Sequence, residues 1–319
     1  MTDQSQAPAD RPIPVYARMA VIGGGLIGSS VLRAAREKGA AGQIVVADAN
    51  PEHRARLEDL GLADAVYADP AEAARGADLI VLAVPVRAMG PATAAAAPGM
   101  QAGATLTDVG SVKGQVGEAM AAAAPAGVFV VPGHPVAGTE QSGPDAGFAS
   151  LFENRWNILT PQPRLDAPYL AAVERLTDFW LRLGARVELM DAAHHDLVLA
   201  VTSHLPHLIA YNIVGTAADL ETVTEGEVMK YSAGGFRDFT RIAASNPIMW
   251  RDVFLTNKDA VLEILGRFTE DLQALSRAIR WGEGDKLEAL FTRTRAIRLG
   301  IVAAGQESAE PNFGRDRRG

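Results

Sequence analysis

Apolar positions along this chain follow two rhythms, and the change between them falls near Leu189. Before it, short unbroken apolar runs alternate with Ala-rich, helix-like stretches. The runs Met19-Ala20-Val21-Ile22, Gln43-Ile44-Val45-Val46-Ala47-Asp48 and Asp78-Leu79-Ile80-Val81-Leu82-Ala83-Val84 are of the kind buried on both faces of a parallel sheet, and Pro85 stops the last. Ala104–Thr107, Val128–Val131 and Trp156–Thr160 predict further strands. Strand and helix in alternation predict an α/β, doubly wound sheet with helices on both faces. After Leu189 the strand signals vanish and helical spacing takes over. Trp250, Phe254, Asn257, Val261, Ile264, Phe268, Leu272, Leu275 and Ile279 step by three and four and predict one helix of about 30 residues, roughly 45 Å long. So long an element in a short all-α half favours a dimer seam over a core helix.

The first strand runs into Gly23-Gly24-Gly25-Leu26-Ile27-Gly28, a glycine-rich turn that opens a helix. In a dinucleotide site Gly23 permits the tight turn, Gly25 lets backbone approach a pyrophosphate, and Gly28 lets helix and strand pack closely. The helix N–H groups at Leu26 and Ile27 then face the phosphates. Asp48 ends the second strand, 20 positions after Gly28, where a carboxylate bonds both ribose hydroxyls and repels a 2′-phosphate. NAD is therefore expected ahead of NADP, although Arg54 and Arg56 lie close behind. The organisation expected is a leader without regular structure (1–17), a Rossmann-type dinucleotide-binding domain (18–188), a helical substrate and dimerisation domain (189–304) and an irregular tail (305–319).

Composition narrows the classes. The chain has 319 residues, 48% hydrophobic and 21% charged, which suits two domains. No apolar run reaches the length of a bilayer span and the polar opening lacks a secretory centre, so a cytoplasmic protein without membrane attachment is expected. Zero cysteines exclude disulfides and thiolate metal sites, and a net charge of −8 argues against a nucleic-acid surface.

Three stretches carry candidate chemistry. His134 lies in Gly133-His134-Pro135-Val136-Ala137-Gly138-Thr139-Glu140, after a strand and at the sheet edge where open α/β sheets bind ligands. It is either a catalytic imidazole or a turn cap. Ser111, in Asp108-Val109-Gly110-Ser111-Val112-Lys113, leaves the same edge; it either caps the next helix or meets His134 in a proton relay. A hydrolytic Ser–His pair is the alternative. His204 and His207 are three apart without a carboxylate at matching spacing or a cysteine, which disfavours a metal. Arg237 and Arg241 flank Asp238, as a surface ion network or as a carboxylate clamp.

Taken jointly, the glycine turn, Asp108–Lys113, Gly133–Glu140, Ser203-His204-Leu205-Pro206-His207, and Gly235-Phe236-Arg237-Asp238-Phe239-Thr240-Arg241 followed by Pro247-Ile248-Met249-Trp250 resemble the prephenate and arogenate (cyclohexadienyl) dehydrogenase family over about residues 18 to 300. The resemblance implies an N-terminal Rossmann domain and a C-terminal all-α dimerisation domain, a homodimer, and NAD-dependent oxidative decarboxylation of prephenate to 4-hydroxyphenylpyruvate or of arogenate to tyrosine. It implies that His134 bonds the ring hydroxyl with Ser111 alongside, that Arg241 holds the ring carboxylate, and that His204, Thr139 and Trp250 line the substrate site. A monofunctional chain is expected, with any tyrosine inhibition acting by competition at that site. Another Rossmann dehydrogenase acting on a 3-hydroxyacid or imine, and a non-catalytic NAD-binding sensor, are the competing readings.

Overall fold

The computed structural model describes residues 13–139, 141–221 and 234–303. Most of the expected leader and the whole expected tail, with Glu140, lie outside them. The first strand starts at Tyr16, inside the stretch expected to be leader.

Six strands form the first sheet: β1 (Tyr16–Ile22), β2 (Ala41–Ala47), β3 (Ala65–Tyr67), β4 (Leu79–Leu82), β5 (Thr105–Asp108) and β6 (Phe129–Val130). Their order is β3-β2-β1-β4-β5-β6, parallel throughout. Side chains alternate between its faces, as strand pleating requires. Met19, Val21, Leu79 and Val81 enter one apolar cluster with Leu32, Phe179 and Trp180. Ala20, Ile22, Ile80 and Leu82 enter a second with Met89, Leu106 and Met120. Helices α1 (Leu26–Glu37), α2 (Pro51–Asp59), α3 (Pro70–Ala74), α4 (Met89–Ala96) and α5 (Gly114–Ala123) make the connections, giving the doubly wound α/β architecture.

The run at Trp156 does not extend this sheet. β7 (Gly133–Pro135), β8 (Trp156–Leu159) and β9 (Arg186–Leu189) form a separate mixed sheet, β7 antiparallel and β9 parallel to β8, with α6 (Ala167–Arg182) leading into β9. The break has a local cause. The ladder with β5 ends where Val131 N donates to Leu106 O; Pro132 has no N–H, and Gly133 N turns to the Asp108 carboxylate.

The helical part opens with α7 (Ala192–Leu199), passes through a π-helical turn at Ala200–His204 and continues as α8 (Leu205–Glu221). Asp191 caps it, accepting from Ala193 N and His194 N. Contrary to the sequence expectation, Ala192–Leu220 is long and apolar enough to cross a bilayer by length and composition. It also carries the buried polar residues His195, Asp196 and His204. Short helices Gly234–Thr240 and Arg241–Ala244 precede Pro247–Thr256, Lys258–Arg280 and Gly284–Ala303. The single long helix expected from Trp250 to Ile279 is thus broken at Asn257, whose backbone leaves the helical region (φ −103, ψ 33). Its side chain is drawn into buried hydrogen bonds described below.

By packing, the described residues form two compact units that divide between Val261 and Leu262. The first holds both sheets and the described helices through Thr256. The described part of the second is a helix–turn–helix whose turn uses Gly282 at φ +66. Leu272, Ile279, Trp281, Phe291 and Ile297 stand exposed on it.

Candidate active site

The glycine turn is shaped for a close ligand. Gly23 sits at φ +102, and a Cβ there would stand 2.4 Å from Ala83 O; a Cβ on Gly28 would stand 1.9 Å from Gly23 O. Only glycine fits either position. Around Gly25, by contrast, a Cβ would meet nothing within 4 Å. The helix it opens has no side-chain cap and no acid in its first turn, so the N–H groups of Leu26 and Ile27 begin an uncapped, positively polarised helix end suited to a phosphate. Asp48 closes the far side, its Oδ2 accepting from Gly24 N at 2.7 Å and its Oδ1 from Asn50 N at 2.8 Å. Arg54 donates to the backbone carbonyls of Asp48 and Ala49, and Arg56 forms a bidentate pair with Asp145. Both guanidinium groups are thus held by partners within the protein. The residues present fit a dinucleotide.

At the C-terminal end of β5 a second set converges. Asp108 and Lys113 are both fully buried and paired, and Lys113 Nζ also donates to Gly133 O at 2.5 Å. Asp108 accepts from Gly110 N and Gly133 N. The knot therefore ties the loop after β5 to the strand that presents His134. Burial pulls the Lys113 ammonium below its ordinary value, against the attraction of Asp108.

His134, 7% exposed, places Nδ1 2.9 Å from His195 Nε2, and His195 Nδ1 lies 2.8 Å from Asp196 Oδ1. A carboxylate only accepts, so His195 carries its proton on Nδ1 and offers the Nε2 lone pair. His134 must then donate from Nδ1, which leaves its Nε2 unprotonated, the form a general base requires. Burial, reinforced by His195, Lys113 and His204, holds the His134 imidazole well below its usual value, so it stays neutral at pH 7. Burial likewise lowers His195 despite its bond to Asp196. Burial works against the Asp196 charge, but hydrogen bonds from His195, Lys113 N (2.8 Å) and Gly114 N (2.9 Å) outweigh it and hold the carboxyl below the ordinary range. Asp196 thereby also caps α5. Ser111 is not that cap; it stands partly exposed on the preceding loop.

His204 is fully buried. Asn257 Nδ2 donates to its Nδ1 at 3.0 Å and to Asp196 O at 2.8 Å, so the His204 proton sits on Nε2. The Ser111 carbonyl acts on this ring, which burial pushes down to about 4. His207 stacks on Trp250 with ring centroids 3.6 Å apart and donates to Ser203 O. Trp250, 6% exposed, packs behind both histidines. Arg241 follows the short helix Gly234–Thr240, is partly buried, and its charge bears on His207. Arg237 and Asp238 are exposed on that helix. The Thr139 hydroxyl accepts from Gln141 N.

Of the residues singled out from sequence, Ser111, His134, His204, Trp250 and Arg241 thus fall into one chain of neighbours. His195, Asp196, Lys113, Asp108 and Asn257 are additions. A His-Asp pair just inside a helix start, and an asparagine on an apolar stripe, were the available signals.

Fold and cluster together define a Rossmann-type oxidoreductase with a glycine-rich dinucleotide cradle and a neutral buried imidazole. The chain belongs to the prephenate dehydrogenase family: the family model for its nucleotide-binding domain matches residues 31–189 and that for its dimerization domain residues 191–293. Cyclohexadienyl dehydrogenase of Zymomonas mobilis is 43% identical over 90% of this chain and 97% of its own length. The crystal structure of prephenate dehydrogenase from A. aeolicus, in complex with hydroxyphenyl propionate and NAD+, superposes with a TM-score of 0.83 at 33% identity, covering 89% of this chain and 98% of that one. Synechocystis arogenate dehydrogenase gives 0.74 at 26% identity, over 89% and 99%.

Proposed function

We propose that this chain is an NAD-dependent dehydrogenase that oxidatively decarboxylates prephenate, arogenate or both, on the route to tyrosine. The observation that carries the reading is the buried His134 imidazole with its Nδ1 2.9 Å from His195 Nε2, in a chain of the prephenate dehydrogenase family. Bound oxidised NAD supplies the acceptor for the hydride leaving the ring carbon that bears the hydroxyl. His134 Nε2 takes the hydroxyl proton, with Ser111 beside it; His204, Trp250 and Thr139 border the substrate. Arg241 holds the ring carboxylate until it leaves as carbon dioxide and the ring becomes aromatic. Gly23, Gly25, Leu26, Ile27 and Gly28 receive the pyrophosphate, and Asp48 the adenosine ribose.

The exposed apolar side chains of residues 262–301 supply a seam for a second copy of the chain, making a homodimer. A cytoplasmic location and tyrosine competition at the substrate site complete the reading. Specificity constants for prephenate and arogenate, each with NAD and with NADP, test it. One of the two acids is expected to turn over with NAD preferred; binding of NAD without turnover of either would point to a sensor, and an NADP preference would remove Asp48 from its role.

Arg241 has its own test. Arg241→Lys keeps charge but loses the planar fork, so KM for the ring acid is expected to rise, and Arg241→Ala to cost about 2–5 kcal/mol in kcat/KM with NAD affinity intact. A variant that loses only thermal stability, with KM unchanged, would make Arg241 a structural residue.

A further inference from the structure

We infer that His195, clamped by Asp196, is a positioning residue that holds the substrate proton inside the protein between oxidation and loss of carbon dioxide. The inference rests on the proposed reaction and on His134 as its base.

The chemistry requires a proton to be set aside and then given back. A ring acid with two carboxylates and oxidised NAD become a phenol with one carboxylate, carbon dioxide and NADH, and the charges balance with no proton released. The hydroxyl O–H bond breaks as hydride departs, and an N–H bond forms at His134 Nε2. When the C–C bond to the ring carboxylate breaks, its electron pair enters the ring, the oxygen becomes a phenolate, and that oxygen takes a proton. The same proton inventory serves both steps, so a base open to solvent is unnecessary.

The geometry offers a better resting place than His134 itself. As Nε2 of His134 gains its proton, the Nδ1–H bond breaks and an N–H bond forms on His195 Nε2, 2.9 Å away. His195 becomes an imidazolium bonded to the Asp196 carboxylate at 2.8 Å. The Lys113 ammonium opposes a cation on either ring, but the carboxylates separate them: Asp196, by its hydrogen bond and its charge, and Asp108 favour a cation on His195, whereas His134 has no carboxylate among the described residues acting on it and is opposed by His204 as well. Asn257, on the other side, is neutral and anchors the Asp196 backbone. His134, His195 and Asp196 are 7%, 0% and 8% exposed, so the chain is closed to bulk water. Reversal of the two transfers returns the proton to the phenolate oxygen.

His195→Gln is the discriminating variant, because its side-chain amide still accepts from His134 Nδ1 yet has no site for the proton. Expected are a folded protein, KM for the ring acid within about threefold of the parent, and kcat lower by about 10²-fold. Rates in H2O–D2O mixtures should show more than one transferring proton in the parent and one in His195→Gln. Independently of any variant, ¹⁵N spectra of the protein without cofactor should show Nδ1 protonated and Nε2 unprotonated on both His134 and His195 at about pH 7. The opposite His134 tautomer, a one-proton response in the parent, or parental kcat in His195→Gln beside an inactive His134→Asn overturns the proton-holding role alone. Parental turnover in His134→Asn overturns both this role and the reaction it serves.

Discussion

Replacing His134 with alanine is expected to lower kcat by about 10²–10⁴-fold while leaving NAD affinity nearly unchanged, because the base is lost and the glycine cradle is not. Its pH signature follows from the direction of the shift. Burial holds the His134 imidazole well below 6.5, so the base remains unprotonated through neutral pH and the acid limb of kcat/KM should fall below pH 6.5. The limb should vanish in His134→Ala. Stability carries the same sign: His134, His195, His204 and His207 are all lowered by burial, so below pH 6.5 the unfolded chain binds more protons than the folded one. Folding stability is then full above pH 6.5 and falls as the pH drops towards 4. Steady-state rates and urea midpoints between pH 4 and 8 check both statements; near-parental turnover in a folded His134→Ala would return the residue to a structural role.

Lys113→Met is expected to be the most destabilising single change at the site. Lys113 and Asp108 are both fully buried, and removing the cation leaves a carboxylate without its charged partner in a dry interior, a loss of about 3–5 kcal/mol. The Lys113 Nζ to Gly133 O bond goes with it, so the strand carrying His134 loses its tie to the β5 loop and kcat should fall as well. Urea unfolding measures the first effect. A loss below about 1 kcal/mol would mean that the pair contributes little beyond its own desolvation.

The parallel sheet was legible because its strands are buried on both faces and so read as unbroken apolar runs, and because the Gly23–Gly28 turn and Asp48 fix where a dinucleotide lies. Pattern could not say which strands pair. Trp156–Leu159 reads as a strand, but only Pro132 and the Asp108–Gly133 bond show why it joins a different sheet. The helix from Trp250 to Ile279 keeps perfect spacing through Asn257, and the break comes from that side chain's bonds to His204 and the Asp196 carbonyl, residues distant in sequence. His195 and Asp196 escaped notice for the same reason. Their meaning comes from His134, 61 positions away, and from Lys113 N, 83 positions away. Candidate residues within single short motifs, such as Ser111 and His134, were visible; the contacts that set the His134 protonation state were not.

The proposed reaction couples two events on one ring, and they can be counted together. With prephenate and arogenate labelled at the ring carboxylate and NAD in excess, NADH formed and labelled carbon dioxide released should appear in a 1:1 ratio for at least one of the two acids. NADH without carbon dioxide would make the chain a simple carbinol dehydrogenase, and neither product from either acid would contradict its assignment as a cyclohexadienyl dehydrogenase.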